Sequence, residues 1–295
     1  MIVGVCHTKM PHIIYENFIE GLKLYGDAYY DVVETYRDWR KVLDMCDVSM
    51  QICEGHSRSK EGTVRGNGFR TMIQEHQDKR KKRRLVFETG FIKNDSVSEE
   101  AYYQVGYDGM KRKSLCYEKE SPSDRWGSLG IKEKPWRKSG EHILIMAQNL
   151  EGAGACHLDL KSWWKDTIKK IKTYTDRPIK VRLHPRARVS FPKKIDVEIL
   201  DKNTTIEDDL KNCWCSIVRT SNSCVDSIIN GIPVITPDEM CMAYDISSHS
   251  IDEIESPLMP DRSQWLNNLA YCQWSISEIR RGLPWGRLRK YANET

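Results

Sequence analysis

Short apolar runs take turns with stretches of helical spacing from one end of the chain to the other. Ile179, Val181 and Leu183 alternate with Lys180 and Arg182, the period-two pattern of a half-buried strand, and Ile195, Val197 and Ile199 repeat it. Trp164, Ile168 and Ile171 instead recur at helical spacing behind Ser162, a residue suited to cap a helix. Thr205 with Asp208 resembles a capping box opening a short helix. Strands over 143–147, 214–218 and 232–235 bracket a helix over 223–229 that Asn230-Gly231 would stop. This alternation predicts βα units and a largely parallel sheet, a Rossmann-like domain.

The first half repeats the pattern less cleanly. Strands are predicted at 2–6, 48–53 and 85–87, with helices over 15–25, 39–45 and 69–78. Residues 92–140 show little periodicity and hold Gly106, Gly109, Pro122, Gly127, Gly130, Pro135 and Gly140, so they read as irregular structure ending in a linker. Beyond Pro260 the helical spacing returns at Trp265, Leu269, Cys272 and Ile276. The expected fold class is α/β: two Rossmann-like domains facing a cleft, with C-terminal helices packed back on the first. The expected division is an acceptor-binding domain over 1–137, a nucleotide-sugar-binding domain over 138–262 and a helical tail over 263–295. A length of 295 residues suits two domains, because single cores stop growing near about 250–300 residues.

Composition narrows the class. Charged residues make up 30% of the chain, hydrophobic ones 39%, and the mean hydropathy is −0.60, which suits neither a membrane protein nor a disordered one. The ten cysteines include no C-x-x-C pair, which argues against a zinc site built on short pairs. The chain opens on a predicted strand instead of a charged and then apolar leader, so a cytoplasmic location with reduced cysteines is expected. The net charge of +4 is concentrated in one segment. Between residues 56 and 84, ten cations (Arg58, Lys60, Arg65, Arg70, Lys79, Arg80, Lys81, Lys82, Arg83 and Arg84) face three acids, giving +7 locally and −3 for the rest. Such a run either keeps a surface wet or meets a polyanion such as DNA.

In open parallel sheets ligands bind beyond the carboxyl ends of the strands, so the residues closing each strand are the candidates. Thr220, Ser221, Asn222 and Ser223 lead from a strand into a helix start, where free backbone N–H groups and the helix dipole favour phosphate. A single cap would need only one of them. His184, fixed in extended backbone by Pro185, lies between Arg182 and Arg186, a set suited to a diphosphate, and Gln148 closes the neighbouring strand. Glu88, followed by Thr89-Gly90, is placed to act as a general base, with Asp108 and His56 as the other candidates. Each of these also has a purely structural use: a helix cap, a strand-ending proline or a salt bridge. Trp126 or Trp136 could stack on a base or sugar, although a core role is more frequent for Trp. No G-x-G-x-x-G, P-loop, D-x-D or G-x-S-x-G pattern occurs.

The run T-S-N-S-C-V-D-S-I-I-N-G-I-P-V-I over 220–235 resembles the nucleotide-sugar site of GT-B glycosyltransferases. R-L-H-P-R over 182–186 and E-T-G-F-I over 88–92 resemble the His-Pro and acidic-Gly-Phe motifs of capsule-type Kdo transferases. The resemblance implies that His184, Ser221, Asn222 and Ser223 contact the donor phosphates, that Glu88 serves the acceptor, and that a nucleotide sugar such as a UDP-sugar is the co-substrate, without a metal or other cofactor. The segments 102–109, 124–131 and 135–148 are similar to glycosyltransferase-like proteins of bacteriophages, some of which modify hydroxymethylated pyrimidines of DNA. That likeness implies double-stranded DNA as a partner, held by Arg58, Arg65, Arg70 and the 79–84 run, and for a phage protein the host cytoplasm as its location. Three alternatives stay open: transfer to a surface polysaccharide or glycolipid, a phosphotransferase of teichoic-acid type, and a nucleic-acid-binding protein without catalysis.

Overall fold

A computed structural model describes residues 1–7, 12–53, 68–92, 101–114, 119–148, 160–184 and 195–293. These fall into two compact units, one formed by residues 1–125 with 266–295 and one by 126–265.

In the first unit the chain runs β1 (Ile2–His7), α1 (Ile13–Lys23), β2 (Ala28–Val33), α2 (Trp39–Asp44), β3 (Val48–Ile52), α3 (Gly68–Arg80), β4 (Arg84–Thr89) and β5 (Tyr102–Tyr107), with α4 (Asp124–Ser128) at the unit boundary. β2, β1, β3 and β4 lie side by side and parallel, as the βα alternation predicts. β3 is buried along its whole length, the signature of a strand covered on both faces. Trp39, Leu43, Phe69 and Ile73 pack with Cys6 and Val32 to seal α2 and α3 onto this sheet.

Two strands depart from the expected pattern. β5 pairs antiparallel with β4 inside the stretch expected to be irregular, Gly106 sitting opposite Val86. The tail then adds α8 (Ser263–Tyr271), β11 (Gln273–Ser275), α9 (Ile276–Arg280) and α10 (Leu283–Leu288), where β11 interrupts the expected helix to pair antiparallel with β5. A capping box of Ser275 and Glu278 restarts the helix directly after it. The tail packs back on this unit: the Trp285 ring meets Phe18 edge-on at 5.9 Å, and its indole N–H donates to Asp27 at 2.7 Å.

The second unit contains β6 (His142–Met146), α5 (Leu160–Ile171), β7 (Ile179–Arg182), β8 (Glu198–Ile199), α6 (Ile206–Asp209), β9 (Cys213–Ile217), α7 (Ser223–Ile229) and β10 (Val234–Ile235). Its five strands are all parallel, in the order β10-β9-β6-β7-β8. Thr205 caps α6, its hydroxyl accepting the Asp208 N–H at 3.1 Å, and Gly231 ends α7 with φ of 75°. Trp164, Ile168 and Ile171 of α5 pack on Ile143, Ile145, Val181 and Ile217.

The expected domain boundary at 137/138 falls inside this unit, because the preceding strap is bonded to it. Lys134 N–H donates to the Ile229 carbonyl at 2.8 Å, Arg137 N–H to that of Gly231 at 2.8 Å, and the Trp136 indole to that of Pro260 at 2.7 Å. Arg262 covers the Trp136 ring at 4.3 Å and Trp126 is buried, so both tryptophans serve packing instead of stacking on a ligand. No described helix is long and apolar enough to cross a membrane.

Candidate functional site

Sheet order determines where each unit can hold a ligand. In the second unit the chain steps from β6 outward to β7 and β8, then returns through α6 to β9 on the other side of β6. The crevice of such a sheet opens where the order reverses, here between the carboxyl ends of β6 and β9. Gln148 and Thr220 close this gap, the Gln148 amide donating to the Thr220 hydroxyl at 2.7 Å. Beyond them the Ser221 and Ser223 hydroxyls lie 2.7 Å apart, and the Ser223 N–H donates to Ser221 Oγ at 3.4 Å. Asn222 stands at the cap position of α7 without a side-chain cap bond, and its Oδ1, like Gln148 Oε1, is buried without a hydrogen-bond partner among the described residues. The base of the loop is held by the buried Ser216–Ser227 hydroxyl pair at 2.9 Å, which ties β9 to α7.

The helix start is less open than the sequence suggests. Cys224 N–H is already bonded to the Ser221 carbonyl at 3.3 Å and Val225 N–H to that of Asn222 at 3.0 Å. The groups left to meet a ligand are mainly the side chains of Ser221, Asn222 and Ser223, with Gln148 beside them. His184, half-buried, leaves the end of β7, the strand on the other side of β6. Arg186 lies outside the described residues.

Arg182 does not join this set. Its guanidinium pairs with the buried carboxylate of Asp209 and donates to the Thr204 carbonyl at 3.1 Å, so it fastens α6 to β7. Asp226, one turn into α7, is half-buried near the same arginine. Burial pushes its carboxyl up to about 7, Glu207 adding repulsion and Arg182 opposing it.

In the first unit Glu88 lies at the carboxyl end of β4, opposite Gln104. The turn after it is fixed from three sides. Thr89 N–H donates to Glu88 Oε1 at 2.9 Å, Gly90 N–H to the Tyr102 carbonyl at 2.8 Å, and the buried Gln273 side chain accepts from the N–H groups of Phe91 and Ile92 at 2.8 and 3.1 Å. Gly90 is required here, since a Cβ would stand 2.5 Å from the Tyr102 carbonyl oxygen. Around Glu88 gather His12, Arg70 and Tyr103. The His12 imidazole is lowered from its ordinary pKa by burial and then by Arg70, with Glu88 acting in the opposite sense. Tyr103 is raised by burial and by Glu88, and its ring meets His12 edge-on at 5.7 Å. His12 was not legible as a site residue; its one signal is a histidine, where Ser, Thr, Asp or Asn would be usual, directly before the first helix.

Asp108 is at the other end of the strand. Its carboxylate accepts the Arg84 N–H at 2.9 Å and pairs with Arg83 at 2.6 Å, at the amino end of β4 and about 13 Å of strand away from Glu88. That position suits a turn anchor, not a base beside Glu88. His56, Arg58 and Arg65 lie outside the described residues.

The basic run shares that far edge. Arg80 donates to the Leu43 and Asp44 carbonyls at 2.8 and 2.7 Å and pairs with Asp44 at 3.2 Å; Arg84 is buried against Asp78 at 3.2 Å; Arg83 holds Asp108. Three of the expected DNA contacts are therefore spent within the fold, while Lys79 and Lys81 are exposed and Lys82 half-buried. Arg70, on the first turn of α3, is separated from them by most of the helix and belongs with Glu88; its Nε is buried without a partner among the described residues.

No protein-family model and no curated protein matches the sequence. Solved structures do. The chain is similar to the β-Kdo 2,4-transferase of KpsC from Thermosulfurimonas dismutans, with a TM-score of 0.55 at 12% identity over 92% of this chain and 90% of that one. It is likewise similar to the β-Kdo 2,7-transferase of KpsC from that organism, with a TM-score of 0.51 at 13% identity over 97% of this chain and 100% of that one. At such identity the likeness speaks for the fold: the protein has the GT-B-type α/β fold of two Rossmann-like units, a glycosyltransferase-like architecture.

Proposed function

We propose that the protein is a nucleotide-sugar-dependent glycosyltransferase that works without a metal and whose acceptor is a hydroxyl of a surface polysaccharide or glycolipid. The observation that carries the reading is the switch point of the second sheet, where Gln148 meets Thr220 beside the Ser221–Ser223 loop in a fold shared with two sugar transferases. In this reading Ser221, Asn222, Ser223 and His184 hold the donor phosphates. Glu88 takes the proton of the acceptor hydroxyl as its oxygen bonds the anomeric carbon; the bond from that carbon to the phosphate oxygen breaks, and the leaving nucleotide carries the negative charge.

A DNA acceptor would ask for a cluster of exposed cations beside the base, where Arg70 is the one described member of the run. The exposed lysines of the run instead stand at the amino edge of the sheet, and Arg80, Arg83 and Arg84 are bonded internally. The glycan reading needs no such surface, and the two proteins of similar fold are Kdo transferases.

The test is incubation with a mixed pool of CMP-, UDP- and GDP-sugars and two acceptor sets, bacterial glycolipid or oligosaccharide and hydroxymethylated DNA, followed by mass spectrometry. A sugar mass on the glycan set supports the proposal, a sugar on DNA replaces the acceptor, and a phosphate mass points to phosphotransfer. Glu88→Gln should lower transfer by about 10²–10⁴-fold with donor binding unchanged.

A further inference from the structure

His12 holds the cap position of α1 in extended backbone, with φ −139° and ψ 133°. The Ile14 N–H donates to its Nδ1 at 3.3 Å. A nitrogen that accepts carries no proton, so the neutral ring keeps its proton on Nε2. Nε2 has no hydrogen-bond partner among the described residues. The ring is held edge-on against Tyr103 at 5.7 Å and Tyr15 at 6.4 Å, within the electrostatic reach of Glu88 and Arg70.

Capping alone does not explain a histidine here. Ser, Thr, Asp and Asn cap better and cost no burial of an aromatic ring. A position that departs from the local preference while lying beside a candidate base is where a functional demand is expected. We infer that His12 is a positioning residue for the acceptor site: Nδ1 is committed to the helix, which leaves Nε2–H as a donor that orients the acceptor hydroxyl Glu88 deprotonates. The assignment rests on the glycosyltransferase reading for its consequence, but its geometry can be tested without it.

The charged and titratable groups around the ring are Glu88 from β4, Arg70 from α3, Tyr103 from β5 and Tyr15 from α1, with the His7 ring tilted against Tyr15 at 4.4 Å. Burial and then Arg70 lower the imidazole from its ordinary pKa, with Glu88 acting in the opposite sense, which favours the neutral ring whose Nδ1 can accept the Ile14 N–H.

Two measurements decide the point. Nitrogen-15 NMR of the histidine side chains should show the Nε2–H tautomer for His12 at pH 7.5, and Glu88→Gln should move its titration to lower pH because the carboxylate that favours the charged ring is gone. An Nδ1–H tautomer, or a titration indifferent to Glu88→Gln, would overturn the inference whether or not the protein transfers sugars. In the transfer assay, His12→Asn keeps the cap and deletes the donor, whereas His12→Gln returns an amide N–H near the Nε2 position and weakens the cap. The expected pattern is an unchanged or raised Tm with kcat lowered on the order of tenfold or more for Asn, and a lower Tm with the higher kcat of the two for Gln. Full activity of His12→Asn would reduce the residue to a cap. If the wild type transfers no sugar to any acceptor, the proposed function fails and the NMR result stands on its own.

Discussion

Asp226 shows how one residue behind the loop can dominate a pH response. Its folded-state pKa, about 7, lies above the ordinary carboxylate value, so the folded protein holds the proton over a range in which the unfolded chain has released it. Stability therefore falls as pH rises from the ordinary carboxylate range through about 7, the reverse of a salt-bridged acid. Asp226→Asn is expected to raise the Tm at pH 8 and to make a shrinking difference toward pH 4; equal Tm gains at both pH values would contradict the burial account. At this scale the sequence was informative where a residue's position on a strand decides its use. Gln148, Glu88 and the 220–223 loop were visible as strand-closing residues. Arg182 was not legible as structural, because its partner Asp209 is 27 residues further on and only the fold brings them together. Asp108 misled for the same reason: a strand-ending acid looks alike at either edge of a sheet until the strand's direction is known.

Elements built on βα alternation were legible and those outside it were not. α7 and its stop at Gly231 follow the predicted bounds, since hydroxyl residues before an apolar turn and Asn-Gly after it are local signals. β2 is an edge strand with three of its six residues exposed, so no alternation betrays it. β5 is buried throughout yet sits among glycines, and β11 is three residues long inside a stretch whose apolar spacing is helical. Both owe their conformation to antiparallel pairing partners far away in the chain. Gly231 carries a prediction of its own. Its φ of 75° and its approach to the Pro135 carbonyl leave no room for a Cβ, so Gly231→Ala should cost about 1–3 kcal/mol from the backbone alone and loosen the 134–137 strap. A Tm equal to wild type in thermal unfolding would count against that packing.

For the molecule as a whole, charge was the feature that composition overstated. The segment of 56–84 carries the excess, yet its described part divides between Arg70 at the candidate acceptor site, arginines that brace the fold, and lysines at the opposite edge. Replacing Lys79, Lys81 and Lys82 with Glu should leave sugar transfer and Tm near wild type; a large rise in acceptor KM that salt abolishes would restore the polyanion reading. The two-unit α/β architecture was legible because parallel βα units advertise themselves twice, once in each half. The acceptor was not, because nothing in a strand-end motif encodes what lies beyond it. The central claim is that the 220–223 loop with Gln148 holds a nucleotide sugar. Isothermal titration of the purified chain with CMP-, UDP- and GDP-sugars tests it most directly. One nucleotide series should bind with Kd in the range of about 1 μM–1 mM, and Ser221→Ala/Ser223→Ala should weaken it about tenfold or more while Glu88→Gln leaves it unchanged. Absence of heat and of stabilisation with every nucleotide sugar would contradict the account.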